Sequence, residues 1–185
     1  TRRPALVPFT LGNDDAVFRE LSGVSADVIA RCGKTAFRGG ALFTHKGLSG
    51  PAILQISSYW SPGDPIGIDF LPDQNPGWLL DAKQSTPRQM VRTVLGRMLS
   101  DRLAATLAQQ IGLEMELGNL PDRAIQNAEG RLRDWQFSPT GTEGFAKAEV
   151  TAGGIDTSGL SSKTMEAKAV PGLYVIGEAA DVTGW

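Results

Sequence analysis

The chain has 185 residues, 41% hydrophobic and 21% charged, with a net charge of −2 and a sequence pI near 5.4. This is the ordinary composition of a globular protein with room for one large domain or two small ones, and it shows no electrostatic footprint for nucleic acid or an anionic membrane. No apolar run approaches the roughly 20 residues that span a bilayer, and a lone Cys32 with a lone His45 builds neither an internal disulfide nor a Cys/His zinc site.

The start, TRRPALVP, has no apolar h-region of a signal peptide and no methionine, which suggests a processed or excised chain. The cysteine count fits a reducing compartment, so the expected location is cytoplasmic. Cys32 itself reads as a small buried hydrophobe rather than a reactive thiolate.

The first 85 residues are β-rich. PALVPFTL, GVSADVIA, TAFRGGALFT and PIGIDFLP read as strands separated by Gly, Pro, Asp or Lys. Val24, Ala26, Val28 and Ala30 alternate with the period of a half-buried strand. Gly39 and Gly40 suggest a bulge or sharp bend in the third run.

The segment 43–52, FTHKGLSGPA, offers a serine between glycines with His45 four residues upstream. A nucleophile elbow requires G-x-S-x-G on a strand–turn–helix, and here proline replaces the last glycine. His45 is the one possible base for Ser49, with no acid placed to orient it. The favoured reading makes Ser49 the cap of a buried helix, with Pro51 in its first turn. A ligand contact through that helix terminus and a serine hydrolase using Ser49 and His45 are the alternatives.

Near residue 86 the pattern turns helical. Thr86 reads as an N-cap with Pro87 at the first helical position, and Met90, Val91, Val94, Leu95, Met98 and Leu99 share one face. A second helix begins at Ser100 or Asp101 and ends at Gly112. A third runs from about Pro121 to Trp135. Arg88, Arg92, Arg97 and Arg102 decorate the first two helices. They read as a solvated face with snorkelling stems, or else as an anion or nucleic-acid patch.

Strands return in AKAEVTAGGI and in PGLYVIGEAAD (171–181). In the second, Leu173–Ile176 reads as a short apolar strand, after which Gly177 admits a ligand to the backbone and Glu178 can accept from hydroxyls. A buried parallel strand ending in an exposed loop is the equal alternative.

PGLYVIGEAAD resembles the C-terminal flavin-binding strand of flavoproteins with two dinucleotide-binding domains, and VTAGGI (150–155) its companion segment. Taken with PALVP (4–8), FTHKGLSGPAILQIS (43–57), KAEVTAGGIDT (147–157), KTMEAK (163–168) and PGLYVIGEAADVTGW (171–185), the chain resembles the HI0933-like (YhiN- or BaiN-like) family of NAD(P)/FAD-dependent oxidoreductases. The resemblance implies an α+β protein. A β-rich, barrel-like body (1–85 and 137–148) carries a helical lobe (86–136), and 149–185 supplies strands of an incomplete FAD-binding α/β domain. No G-x-G-x-x-G occurs in the chain, so the implied piece is an insert plus the start of the returning half of the FAD domain.

By that resemblance FAD is the cofactor, with NAD(P)H as a possible reductant. Gly153, Gly154, Gly177, Glu178 and Asp181 are the cofactor contacts, and His45 and Ser49 are candidates for lining a substrate cavity. The expected substrate is a small molecule, with no nucleic acid, membrane or metal partner and no assigned catalytic residue. Alone, the chain is expected to bind FAD weakly or not at all and to be inactive. A non-catalytic binding module is the alternative.

Overall fold

The computed structural model describes residues 2–182. Its chain opens with β1 (Arg3–Ala5) and β2 (Phe9–Thr10), which separate where one strand was expected. Leu6 turns left-handed (φ 45°), and Pro8 has no N–H to give a ladder. The two pieces therefore join different sheets.

After β2, a 3₁₀ stretch at Asn13–Leu21 buries Phe18 and Leu21. Next come β3 (Ser25–Cys32) and β4 (Thr35–Phe43), paired antiparallel from Ser25↔Leu42 to Cys32↔Thr35. The register runs unbroken through Gly39 and Gly40, so the expected bulge is absent. The helix that begins at Pro51 packs over them instead, so that a Cβ on either glycine would stand in van der Waals contact with Pro51 or Ala52.

β5 (Gly47–Ser49) leads into α1 (Pro51–Ser57), and β6 (Ile66–Asp69) pairs with β3. The helices are α2 (Trp78–Ser85), α3 (Val91–Leu95), α4 (Asp101–Ile111) and α5 (Asp122–Arg133). β7 (Trp135–Phe137), β8 (Gly141–Thr142) and β9 (Val150–Ala152) complete the strands.

The helix expected to begin at Thr86 does not. Thr86 closes α2, its N–H and Oγ1 both donating to the Ala82 carbonyl at 2.8 and 3.0 Å. Beyond it, the Pro87 and Gln89 carbonyls accept from Gly118 and Leu117 at 2.7 and 2.8 Å. That long-range pairing takes the acceptors a helix would need, and α3 is confined to five residues. Met98, expected in the core stripe, is exposed. α4 follows expectation, with Ser100 Oγ accepting from Leu103 N–H and Gly112 left-handed at the C-cap. α5 buries Ile125, Ala128 and Leu132, while Trp135 starts β7 rather than ending the helix.

The main sheet is antiparallel, in the order β7-β6-β3-β4-β5-β2-β8; a separate ribbon pairs β1 with β9. Its two edges, β7 and β8, are joined by residues 138–140 alone. A link that short reaches at most about 14 Å, so the sheet has to curl until its edges approach. No ladder joins β7 to β8 among the described residues, and the barrel stays open along that seam.

Aromatic rings fill the curl. Phe18 stacks on Phe43 (6.0 Å between centroids) and meets Trp135 and Phe137 edge-on at 5.6 and 4.9 Å. Phe70 contacts the other side of the same group. One continuous apolar core runs from these rings into the helices. Leu160, Val175 and Ala180 form a second, small core in the C-terminal segment. No helix among the described residues is long and apolar enough to cross a membrane.

Candidate functional site

A cleft of about 480 Å³ opens between the β1–β9 ribbon and the C-terminal segment. Ala5, Leu6, Val150 and Ala152 form one wall, Met165, Ala180 and Val182 the other, with Ser58 at the base and Gly177 and Glu178 at the rim. The lining is mostly apolar with a few polar groups, as small-molecule sites generally are.

The walls are held by groups distant in sequence. Arg3 donates to the carbonyls of Trp60 and Ser58 at 2.7 and 2.6 Å, anchoring β1 to the end of α1. Where Leu6 breaks the strand, its N–H turns to Ser58 Oγ (3.4 Å) and the Val7 N–H to Ser57 Oγ (2.9 Å). Opposite, Met165 is also left-handed, at φ 61°. Each such non-glycine residue costs about 1–2 kcal/mol, and two of the three found among the described residues face this cleft. Such strain persists where surrounding contacts over-determine it, and it concentrates at functional sites.

Just past β9, the chain meets the C-terminal segment through an isolated parallel bridge between Ile155 and Ala180. The Ile155 N–H donates to the Ala179 carbonyl, and the Asp181 N–H to the Ile155 carbonyl, both at 2.9 Å. A Cβ on Gly154 would lie 2.6 Å from the Ala179 oxygen, so only glycine admits this crossing.

The residues expected to contact a cofactor separate into two groups. Gly177 (φ 65°) and Glu178 line the cleft. Gly153, Gly154 and Asp181 flank the bridge that shapes it and do not line it. The short strand expected at Leu173–Ile176 is absent: Tyr174 makes one bridge with Glu166, and Leu173, Tyr174 and Ile176 are exposed. The backbone there is held instead by residues 165–167, the Ala167 N–H donating to the Leu173 carbonyl at 2.7 Å and the Val175 N–H to the Met165 carbonyl at 3.0 Å, a pairing too short to make a ladder. Residues 183–185, which end the fifth motif, lie outside the described residues.

His45 and Ser49 are elsewhere. His45 sits exposed in the β4–β5 turn, beside a hollow lined by Val17, Arg19 and Glu20. Ser49 is still in β5, opposite Leu42, and no hydrogen bond joins it to His45. A serine with no base in reach has no means of activation in this arrangement. Nor is Ser49 a cap. Gly50 holds that position at φ 94° without a side-chain bond, because Ser49 remains committed to the ladder.

Cys32 is buried, its thiol pushed up by burial and by the nearby Asp64 carboxylate. That is the opposite of what a reactive thiolate needs. Among the described residues no cluster of three or more His, Cys, Asp or Glu is placed to hold a metal.

Sequence reasoning missed the supports of the cleft: Arg3, Leu6, Ser57, Ser58 and Met165. Two serines ending an apolar helix are the one trace they leave in the sequence.

The fold is thus an α+β protein whose C-terminal segment sets a glycine–glutamate pair at the mouth of an apolar cleft. The chain belongs to the HI0933-like family, of flavoprotein type: residues 3–150 match the family model described as "HI0933-like protein barrel and H2TH domain". It is 46% identical, over 99% of its length, to the "Ribosomal RNA dihydrouridine synthase" of Haemophilus influenzae, and 45% identical over 99% to the Escherichia coli protein of the same name. At 25% identity over 98% of its length it also matches the "3-dehydro-bile acid delta(4,6)-reductase" of Clostridium scindens. It covers 46%, 47% and 48% of these proteins, so the chain spans about half the length of the curated relatives it matches.

Proposed function

We propose that the chain is part of an FAD-dependent reductase that saturates the C5=C6 bond of a uracil base in ribosomal RNA. The observation that carries this is the match across 99% of the chain to two proteins named for dihydrouridine synthesis. The cleft lined by Gly177 and Glu178 supports the flavin part of this reading.

The lining suits a flavin. Nothing lies within 4 Å of where a Cβ on Gly177 would stand, so a ligand can approach the backbone there. The exposed Glu178 carboxylate is free to accept from ribityl hydroxyls. The apolar walls would shield the face of a planar ring. Gly154 acts one step back, letting residues 153–155 cross 179–181 and so setting the width of the cleft. Bound there, FAD would supply hydride transfer, with NAD(P)H as the reductant class that recharges it.

The names of the near and distant relatives share a chemical logic. Uracil C5=C6 is conjugated to a carbonyl, and so is the ring alkene of a 3-dehydro steroid. Either is reduced by a hydride at the β carbon and a proton at the α carbon. The apolar cleft also favours a second reading, a small conjugated ketone as substrate.

The test uses the full-length protein encoded by the parent gene. Purified, it is expected to be yellow with a flavin spectrum. Deleting the gene is expected to remove 5,6-dihydrouridine from hydrolysed ribosomal RNA, and its return to restore it. A colourless protein that takes up no FAD sinks the flavin reading. Unchanged dihydrouridine in the deletion strain sinks the RNA substrate and leaves the small ketone.

A further inference from the structure

We propose that the groove between α3 and α4, walled by Arg92 and Arg97, docks the phosphate backbone of RNA. This rests on the reading that the full-length protein acts on ribosomal RNA and adds the surface that would hold it. Residues 86–112 carry four arginines, Arg88, Arg92, Arg97 and Arg102, against one carboxylate, Asp101. The chain's net charge of −2 averages this basic segment away.

Among the described residues none of the four arginines enters an ion pair. Arg31, Arg38 and Arg133, by contrast, each face a carboxylate. Arg97 donates to Gln89 Oε1 and Arg102 to the Glu20 carbonyl, both neutral acceptors that leave the positive charge in place. Arg92 is exposed with no side-chain partner among the described residues.

Arg92 and Arg97 bound a groove of about 440 Å³ whose other lining residues are Thr93, Gly96, Asp101 and Ala105. Between the arginines the lining is small-sided: Thr93, Gly96 and Ala105. A Cβ on Gly96 would come within 3.1 Å of Asp101 Oδ1, so that position stays empty. Asp101 stands in the first turn of α4, where a carboxylate complements the helix dipole. Two arginines and an exposed threonine lining one groove supply the kind of donors that fix nucleic-acid phosphates. An acidic protein fits less well, because protein interfaces centre on apolar or aromatic anchors and this groove offers only Ala105.

The experiment measures binding of the full-length protein to protein-free ribosomal RNA over a range of salt concentrations. The double variant Arg92→Gln/Arg97→Gln is expected to lose about tenfold or more in affinity, and its log-affinity against log-salt slope to shrink by about one per arginine. Its melting temperature and flavin spectrum should match those of the unaltered protein, since both side chains are exposed. Lys34→Gln/Lys147→Gln, an equal change of charge at two other exposed positions, should bind as the unaltered protein does. The proposal is overturned if the arginine variant binds normally, if the lysine variant loses as much, or if polyglutamate competes as well as unlabelled RNA. A protein that binds RNA undiminished by the arginine changes and still forms dihydrouridine sinks this inference alone. Unchanged dihydrouridine on gene deletion sinks the reading beneath it.

Discussion

The Val7 N–H donates to Ser57 Oγ at 2.9 Å, and the same hydroxyl donates to the Leu54 carbonyl at 2.7 Å. One side chain thus ties the break after β1 to the last turn of α1, and it is buried with only 3% of its surface exposed. Ser57→Ala removes the acceptor and leaves the Val7 amide buried and unpaired. The expected loss is about 1–3 kcal/mol, read by urea denaturation of this chain. An unchanged midpoint would mean that water or a shifted neighbour replaces the hydroxyl.

Asp15 carries a pH signature. Burial pushes its carboxyl above the ordinary 3.8, opposed by the Ser138 N–H that it accepts at 2.8 Å and reinforced by Asp14. A carboxyl whose folded pKa is raised binds more protons in the folded state than in the unfolded one, so it lowers stability as pH climbs from about 3.8 through the raised value. Asp15→Asn removes that slope while its amide oxygen still accepts from Ser138. The variant should gain stability relative to the unaltered chain at pH 7 and lose that advantage at pH 3, measured by denaturation at both. A larger advantage at pH 3 would contradict the assignment.

Gly154 sits where residues 153–155 cross 179–181 at close range. Alanine there would place a Cβ 2.6 Å from the Ala179 oxygen, a backbone atom that cannot swing aside. Residues 179–181 would have to retreat, widening the cleft and breaking the bridge at Ile155. Gly154→Ala is expected to cost about 1–3 kcal/mol of stability and to lower the flavin content of the full-length protein. Normal stability with a full flavin spectrum would show that the crossing is dispensable.

The elements legible in the sequence are those whose pattern is local. β3 alternates, α4 has its serine cap and terminal glycine, and α5 repeats Ile125, Ala128 and Leu132 at helical spacing. What was not legible depends on partners far along the chain. Leu117 and Gly118 claim the carbonyls of Gln89 and Pro87 and cut α3 short, so propensity yields to tertiary pairing. Ser49 looks like a cap until Leu42 is seen opposite it. At the cleft, Gly177 and Glu178 stand out as a motif. Leu6, Ser58 and Met165 come together only through folding, and nothing in their neighbours in sequence announces it.

Glu178 is the sharpest test of the cofactor assignment. It lines the cleft, is exposed, and makes no side-chain hydrogen bond among the described residues, so replacing it should leave the fold intact. In the full-length protein Glu178→Ala should weaken FAD binding by about tenfold or more, the loss expected for hydrogen bonds to a charged acceptor. Glu178→Gln keeps one acceptor oxygen and should fall between the two. Both are read by flavin absorbance after dialysis and by the shift in melting temperature on adding FAD. The 185-residue chain alone should take up FAD weakly or not at all, since Leu173, Tyr174 and Ile176 stand exposed where a flavin-binding strand would need neighbours. Tight binding by this chain would show that the cleft suffices by itself. Glu178→Ala with undiminished flavin would move the cofactor to another surface.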